Sequence, residues 1–333
     1  MSDKAATPEP QVPDTGDSAK KKRKPSGRFE CQLGILLGVG GLVGSRLGHL
    51  WIAFDVFSQF TLQFAIVTAA FVIGFFMPRA RLLAAFIVII MGLLAIGVWP
   101  HAMGRLPADT AAAPAGHREI TVASYNTLYS NQNADAVRAE VERLDADIVT
   151  LIEMGPNKKP ALAALKQRYP HQVSCFTIDF CNLAIISKFP IVETDARVGW
   201  TGPPMITAKF GPELNGLTVM GVHTIRFPHS RAQFRQVVAL ADLIETTPGL
   251  KLVTGDFNAT PFSRITTTIT SRTGLVRLTN LPSWPSNLHL PQVAIDHIFA
   301  SPSIVQTKAE RIGEPAGSDH YPVIVGVSLP MTP

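Results

Sequence analysis

An acid and an amide, Asp256 and Asn258, stand two residues apart just after an apolar run at residues 250–253. The run predicts a buried strand, and Gly255 follows it immediately before the acid. Because side chains i and i+2 of an extended chain point the same way, we expect both groups to project from one strand end. A carboxylate can accept a proton or bind a cation, and an amide can orient a water or an oxyanion. An ordinary turn is the alternative, since Gly, Asp, Asn and Pro all favour turns.

Further polar side chains lie at the ends of other predicted strands or in the loops beside them. They are Asn126, Glu153, His223, Asp296, Asp319 and His320. Taken singly, each has a plain structural explanation as a turn residue, a surface acid, a core histidine or a loop residue. As a set they indicate one shared site, because catalytic groups concentrate on the loops at strand ends.

The elements that must position these groups are predicted in the C-terminal two thirds of the chain. Strands are expected where apolar residues alternate or run together, and helices where they recur at helical spacing. The predicted strands cover residues 120–125, 147–152, 183–187, 217–222, 250–253, 292–300 and 323–329. The predicted helices cover residues 134–144, 161–169 and 231–245. This alternation predicts an α/β domain.

The first part of the chain has a different composition. Residues 1–28 are polar and basic and predict a disordered arm. Long apolar runs in residues 31–100 predict a transmembrane region, because each of the two longest exceeds the ~20 residues that a bilayer needs. The three predicted helices lie at about 31–50, 56–77 and 82–100. Residues 101–117, with Pro, Ala, Gly and Thr, predict a flexible linker.

The first apolar segment is the weakest of the three, because Arg46 lies near its end. Its small residues recur at four-residue spacing, which suits close helix packing in lipid. They are Gly34, Gly38, Gly40, Gly44 and Gly48. A cleaved signal peptide is the alternative, but no small-x-small cleavage site follows the segment.

Positive charges orient the predicted spans. A basic cluster at residues 20–24 precedes the first span, and residues 78–81 between the second and third spans are also basic. Basic loops stay in the cytoplasm, so three spans place the C-terminal domain outside it. A nuclear or nucleic-acid signal is the alternative interpretation of residues 20–24.

The net charge of +5 comes mainly from the N-terminal part of the chain. The whole chain has a high isoelectric point, which usually indicates a nucleic-acid partner. From Arg118 onward, however, there are 19 basic and 18 acidic residues, so this indication is weak for the C-terminal part. Three cysteines are too few for a disulfide scaffold. Cys175 and Cys181 are six residues apart, and outside the cytoplasm they can form a local disulfide. A pair of buried free thiols is the alternative.

The order of the polar motifs resembles that of the endonuclease/exonuclease/phosphatase family, the deoxyribonuclease-I-like phosphoesterases. The matching stretches are residues 124–126, 152–153, 182–190, 221–224, 255–258, 295–298 and 317–322. The resemblance covers about residues 118–330 and implies a catalytic domain there. Its fold would be a four-layer α/β/β/α sandwich, preceded here by the helical membrane region.

The resemblance also implies hydrolysis of a phosphate ester assisted by Mg²⁺ or Mn²⁺. Glu153 would be the principal metal ligand, with Asn126 beside it and Asp319 as a secondary ligand. Asp256 would orient or deprotonate the attacking water, and Asn258 and His223 would hold phosphate oxygens.

His320 would contact the phosphate, and Asp296 would fix the orientation and charge of His320. These roles suit the chemistry, because a phosphate ester repels hydroxide unless a cation and hydrogen-bond donors offset its charge. A hard cation such as Mg²⁺ prefers oxygen ligands like the Glu153 carboxylate.

The substrate is predicted only as a class, a nucleic acid or a phospholipid or small phosphodiester. Membrane tethering and a nearly neutral domain favour the lipid slightly. Membrane-anchored bacterial members with this layout imply a multi-pass protein of a bacterial inner membrane with a periplasmic catalytic domain. The competing hypothesis is an inert, membrane-anchored binding or scaffold protein that retains the fold, and no key carboxylate is lost here to support it.

Overall fold

The computed structural model describes residues 27–103 and 110–331. The predicted arm therefore lies almost entirely outside the described residues, as do residues 104–109 of the predicted linker. The described part comprises an N-terminal helical region, residues 28–103, and a C-terminal domain that begins at His117.

Four helices form the N-terminal helical region. They are α1 (Arg28–Leu47), α2 (Asp55–Ser58), α3 (Thr61–Phe76) and α4 (Arg81–Met103), with a 3-10 turn at Ile52–Phe54 leading into α2. Small residues let α1 approach α3 closely, since an added Cβ at Gly34 or Gly41 would lie 2.3 Å from a ring of α3. The predicted glycine stripe is wrong at Gly40, where a Cβ would meet nothing within 4 Å.

The predicted helix at 56–77 is interrupted. The segment Ile52–Ser58 and helix α3 are bent by 61° relative to each other. Within the described residues, α4 alone passes the length and hydropathy test for a membrane span, over Arg81–Val98. The bent pair counts as a second candidate only if its two parts form one span, and α1 does not pass.

A buried polar contact explains the interruption. Asp55 is 0% exposed, and its carboxylate accepts hydrogen bonds from the Arg264 backbone N–H, at 2.7 Å, and from the Ser263 hydroxyl. These donors lie at the start of helix α8 (Arg264–Thr273) in the C-terminal domain. Gln59 Oε1 also accepts the Thr260 N–H at 2.8 Å. The turn around Asp55 thus caps a helix 200 residues away in the sequence instead of continuing the apolar helix.

Twelve strands form two six-stranded sheets in the C-terminal domain. The first sheet has the order β11-β12-β1-β2-β4-β3 and the second has the order β5-β6-β7-β8-β10-β9. The strands of the first sheet are β1 (His117–Asn126), β2 (Ile148–Ile152), β3 (His171–Ser174), β4 (Ala184–Ser187), β11 (Val305–Ile312) and β12 (Val323–Pro330). Those of the second are β5 (Ile191–Arg197), β6 (Met205–Phe210), β7 (Thr218–His223), β8 (Lys251–Asp256), β9 (Val276–Arg277) and β10 (Asp296–Ala300).

The two sheets pack face to face with helices on their outer sides. Apolar side chains of both sheets, such as Ile148 and Leu252, share one central core. Helices α5 (Ala134–Leu144) and α6 (Lys159–Leu165) cover the first sheet. Helices α7 (Ser230–Thr246) and α8 cover the second. The predicted four-layer α/β/β/α sandwich is confirmed.

Two predicted elements end or begin several residues away from the predicted position. Helix α6 ends at Leu165 although the pattern extends to residue 169, and Tyr169 instead fills the core beneath it. The strand predicted at 292–300 begins only at Asp296. The described part of the predicted linker contacts the C-terminal domain, since the Ala111 N–H donates to the Gln306 carbonyl at 3.2 Å.

Candidate active site

The ends of strands from both sheets meet along one edge of the sandwich. Strands β1 and β2 are parallel and end together, with Asn126 opposite Ile152. Strands β7 and β8 are parallel and place His223 opposite Asp256. Strand β10 runs antiparallel to β8 and places Asp296 opposite Asp256. The topology therefore gathers polar tips from distant parts of the chain.

These tips line a cleft of about 690 Å³. Six of the eight predicted site residues are among its lining side chains: Glu153, His223, Asp256, Asn258, Asp319 and His320. Asn126 and Asp296 lie directly behind them, and each is 1% exposed.

Glu153 follows β2 in a left-handed conformation with φ 55°. Its Oε1 accepts a hydrogen bond from Asn126 Nδ2 at 3.3 Å, and its Oε2 accepts the Tyr129 N–H at 2.8 Å. Burial alone would raise the Glu153 pKa, but His223 and these donors outweigh burial and lower it. The carboxylate is therefore kept ionised in a partly buried position, as a cation ligand must be.

Gly255 lets β8 approach β7, because a Cβ there would lie 1.9 Å from the Val222 carbonyl oxygen. Beyond Asp256 the chain is no longer extended, since Asn258 has φ 46°. The expected i, i+2 strand geometry is therefore wrong, although both side chains face the same cleft. The Asn258 N–H donates to Asp256 Oδ1 at 2.8 Å, and its side-chain Nδ2 donates to the Thr224 carbonyl at 3.0 Å.

Asp256 lies at the centre of the arrangement. Its Oδ2 accepts a hydrogen bond from Asn126 Nδ2 at 3.0 Å, and it lies 3.7 Å from the Nε2 atoms of both His223 and His320. Burial and then the charge of Asp296 raise the pKa of Asp256 to about 6. The group can thus exchange a proton near neutral pH, as a general base does.

His320 and Asp296 form a buried pair, with 2.8 Å between His320 Nδ1 and Asp296 Oδ2. The same Asp296 oxygen accepts the Ser283 hydroxyl at 2.6 Å. Burial by itself lowers the His320 pKa, but the charges of Asp296 and Asp256 prevail and raise it to about 10. His320 is therefore a cation whose Nε2 faces the cleft.

Two carboxylate oxygens near the cleft are buried and accept no hydrogen bond from the described residues, Asp296 Oδ1 and Asp319 Oδ1. The other oxygen of Asp319 accepts the Trp284 Nε1–H at 3.1 Å. Unsatisfied buried carboxylate oxygens are costly, so these two are sites where a cation or a substrate donor would be bound.

The residues that approach one another closely enough to share an ion differ from the predicted metal set. Within the described residues, ligand atoms of Asp256, Asp296 and His320 lie within 4.8 Å of one another. Glu153 and Asp319, predicted as ligands, lie outside that trio but line the same cleft. The carboxylate oxygens of Glu153, Asp256 and Asp319 along the cleft suit Mg²⁺ or Mn²⁺.

Several residues of the site carried no clear signal in the sequence. Lys158 is 0% exposed, and its Nζ donates to the Leu128 carbonyl at 2.7 Å behind the Glu153 loop. Burial lowers the Lys158 pKa. Ser283 supports Asp296, and Trp284 supports Asp319, from a segment without an apolar pattern. Arg226, three residues after His223, also lines the cleft.

Comparison with solved structures supports the fold. An endonuclease/exonuclease/phosphatase family protein from Bacteroides thetaiotaomicron is 19% identical with a TM-score of 0.51, covering 64% of this chain and 98% of that one. A humanized D. rerio TDP2 is 15% identical with a TM-score of 0.52, covering 63% of this chain and 98% of that one. The beta toxin of Staphylococcus aureus with bound magnesium ions is 16% identical with a TM-score of 0.52, covering 62% of this chain and 99% of that one. All three are similar in fold at low identity.

A sequence search of curated proteins found no match. The family model described as "Endonuclease/Exonuclease/phosphatase family" matches residues 123–320, more than half of the chain and nearly all of the sandwich. That match includes all of the polar strand ends described above. On this basis the chain belongs to the endonuclease/exonuclease/phosphatase family.

Proposed function

We propose that this protein is a membrane-anchored, divalent-metal-dependent hydrolase of phosphodiesters. One observation carries the proposal: acids, amides and histidines from six separate segments converge on one cleft around Asp256. Members of the family act on phosphate esters, and such esters need cationic partners to accept a nucleophile. In an inert scaffold, two buried carboxylate oxygens without hydrogen-bond partners would lower stability without serving a function.

The proposed metal ligands are Glu153, Asn126 and Asp319, with Asp256 close by. Carboxylate and amide oxygens are the donors that Mg²⁺ and Mn²⁺ prefer, and the buried Asp319 Oδ1 accepts no hydrogen bond from the described residues, although it lies 4.0 Å from His320 Nε2. When bound, the ion would offset phosphate charge and favour attack by water.

The remaining residues have separate proposed roles. Asp256 accepts the proton of the attacking water, which its pKa of about 6 permits at neutral pH. His320, kept cationic by Asp296, donates to a phosphate oxygen and stabilises the charge of the transition state. His223 Nε2, 3.6 Å from Glu153 Oε1, donates to another oxygen. Asn258 helps to hold the phosphate near Asp256.

The proposed location is a bacterial inner membrane, with the domain of residues 118–330 on the periplasmic side. Helix α4 supports a span, and the apolar surfaces of α1 and α3 support a larger membrane region. The Cys175–Cys181 disulfide, with Sγ atoms 2.05 Å apart, suits an oxidising compartment. The substrate would then be a lipid or small phosphodiester, or a nucleic acid.

The test is hydrolysis by the full chain in detergent. Bis-p-nitrophenyl phosphate, phospholipid, DNA and RNA should be compared with Mg²⁺, Mn²⁺ and EDTA. We expect metal-dependent turnover of at least one substrate, and its loss in Glu153→Ala. Metal-dependent turnover that survives Glu153→Ala would remove the metal assignment. A well-folded wild type that hydrolyses nothing in the panel would favour the scaffold hypothesis.

A further inference from the structure

A second cavity, of about 460 Å³, lies between the N-terminal helical region and the C-terminal domain. We call it the interface cavity. Its walls include Leu62 of α3, Ala95 and Ile96 of α4, and Pro261 and Val293 of the domain. Its volume falls in the range of about 300–1,000 Å³ that is usual for sites that bind small ligands. It shares no lining residue with the catalytic cleft.

Specific polar contacts hold the two sides of the interface cavity together. Gln63 Nε2 on α3 donates to the Gln292 carbonyl at 3.0 Å, and Gln292 Nε2 donates to the Leu93 carbonyl on α4 at 3.1 Å. With the Asp55 and Gln59 contacts, these bonds fix both helices against the domain. The cavity is therefore a defined feature of a docked interface.

The lining is largely apolar except for a few groups, of which Arg277 is the only charged one among the described lining residues. Its Nε donates to the Thr279 carbonyl at 3.1 Å, its Nη2 donates to Asn280 Oδ1 at 2.9 Å, and its Nη1 donates to the Pro261 carbonyl at 3.5 Å. None of these partners is a carboxylate. The charge of Glu310 acts to raise the Arg277 pKa, but Glu310 does not line the cavity. An apolar chamber with one guanidinium matches a ligand with an apolar body and an anionic group.

Exposed apolar side chains of the helices lie at and beside the interface cavity. Leu62 lines the cavity and is 43% exposed, and Leu94, beside Ala95 on the span helix α4, is 39% exposed. In a bilayer these side chains would contact acyl chains. The surrounding lipid is thus the occupant that can reach the cavity without leaving the membrane.

We propose that the interface cavity binds one anionic membrane lipid, with an acyl chain between α3, α4 and the domain and the head-group phosphate at Arg277. The inference rests on the membrane location proposed above, but not on hydrolysis. The lipid is a bound ligand rather than the substrate, because the two sites have separate walls.

Native mass spectrometry of the full chain in detergent tests the proposal. The probes are dioleoyl phosphatidylglycerol, which is anionic, and dioleoyl phosphatidylcholine, which has no net charge. We expect one tightly held phosphatidylglycerol, preferred about fivefold, the ratio that one lysine or arginine near an anionic lipid gives. Ala95→Trp fills the cavity and should abolish this adduct. Ile87→Trp, at a 51% exposed position of the same helix that does not line the cavity, should keep it.

Two charge-neutralising variants distinguish recognition of the head group from general affinity for lipid. Arg277→Gln should remove the preference for phosphatidylglycerol, whereas Arg272→Gln, on the surface of α8, should retain it. If Ala95→Trp does not fold by circular dichroism, Ile96→Phe is the smaller filling change. An adduct unaffected by a folded filling variant, or equal binding of both lipids, would overturn the proposal. Binding is measured without turnover, so a failure of the proposed hydrolysis would be seen separately.

Discussion

Two buried acids in different regions of this protein have opposite surroundings. Asp55, in the helical region, has both carboxylate oxygens hydrogen-bonded, to Ser58 and Arg264 on one oxygen and to Ser263 on the other. Asp296, directly behind the candidate cleft, has one oxygen shared by His320 and Ser283 and the other without a hydrogen-bond partner among the described residues. A fully satisfied acid stabilises a junction, whereas a partly satisfied one is available for chemistry.

The comparison extends to the regions themselves. The buried polar residues of the described helical region are few, and most of them, such as Asp55, Ser58 and Gln59, lie where it meets the domain. In the domain, buried polar groups gather at the strand ends. Buried polar groups of the helical region thus lie at its contact with the domain, and those of the domain lie at the cleft where we propose that a phosphate ester binds.

The largest effect should come from the cleft. His320→Ala removes the cationic donor and leaves Asp296 and Asp256 facing each other, so turnover should fall by about 10²–10⁴-fold. The measurement is metal-dependent hydrolysis by the full chain. His171→Ala, on the edge strand β3, is the matched control and should retain wild-type turnover. A variant at His320 with unchanged turnover would show that its charge is not used.

A change at the junction should mainly affect stability. Asp55→Ala leaves the N-terminus of α8 and the Ser263 hydroxyl unsatisfied, which we expect to cost about 3 kcal/mol of unfolding free energy. Urea unfolding in detergent measures this. Asp135→Ala, whose side chain is 96% exposed, should have almost no effect. Equal stability of both variants would mean that the helical region does not dock through Asp55.

A third prediction concerns how stability depends on pH through Glu310, a buried acid that lines neither the cleft nor the interface cavity. Glu310 accepts the N–H groups of Asn280 and Leu281, and burial raises its pKa from 4.5 to about 7 despite these bonds. Between those values the folded protein keeps a proton that the unfolded chain has released, so stability falls as pH rises. Relative to Glu310→Gln, the unfolding free energy of the wild type should fall by about 3 kcal/mol between pH 4.5 and 8.

Urea unfolding of the wild type and Glu310→Gln at several pH values provides the measurement. Glu213→Gln, on an exposed loop, is the control and should follow the wild type across the range. A constant difference between wild type and Glu310→Gln would show that Glu310 ionises with an ordinary pKa in the folded state.

The smallest effect should come from the disulfide. Replacing Cys175 and Cys181 together by serine opens a short loop, and the unfolded chain should gain entropy worth about 2 kcal/mol. Thermal unfolding of the oxidised protein gives the comparison. Cys31→Ser changes the free buried cysteine instead, and a reducing agent should destabilise that variant while leaving the double variant unaffected. Equal sensitivity of the two variants to reductant would contradict this account.

The sequence could predict which polar residues lie at the strand ends around the cleft, because their signals are local. An apolar strand followed by a polar residue is visible at Asn126, Glu153 and His223 without any tertiary information. The elements that were missed have weaker local patterns. Strand β5 is largely exposed and carries three charged residues, so it has no apolar run. Strand β11 is also mostly polar, and α8 is rich in threonine.

Composition along short stretches thus determined the apolar helices, the apolar strands and the types of the reactive groups, because burial and hydrogen-bonding capacity belong to each residue. Tertiary structure alone decided which of them meet. Asn126 reaches Asp256 across 130 residues, and Asp55 reaches Arg264 across 209. Such contacts depend on strand order, register and the packing of the two sheets, which no local window contains. The break between α2 and α3 at Gln59 also involves a distant contact, since Gln59 Oε1 accepts the Thr260 N–H of the domain.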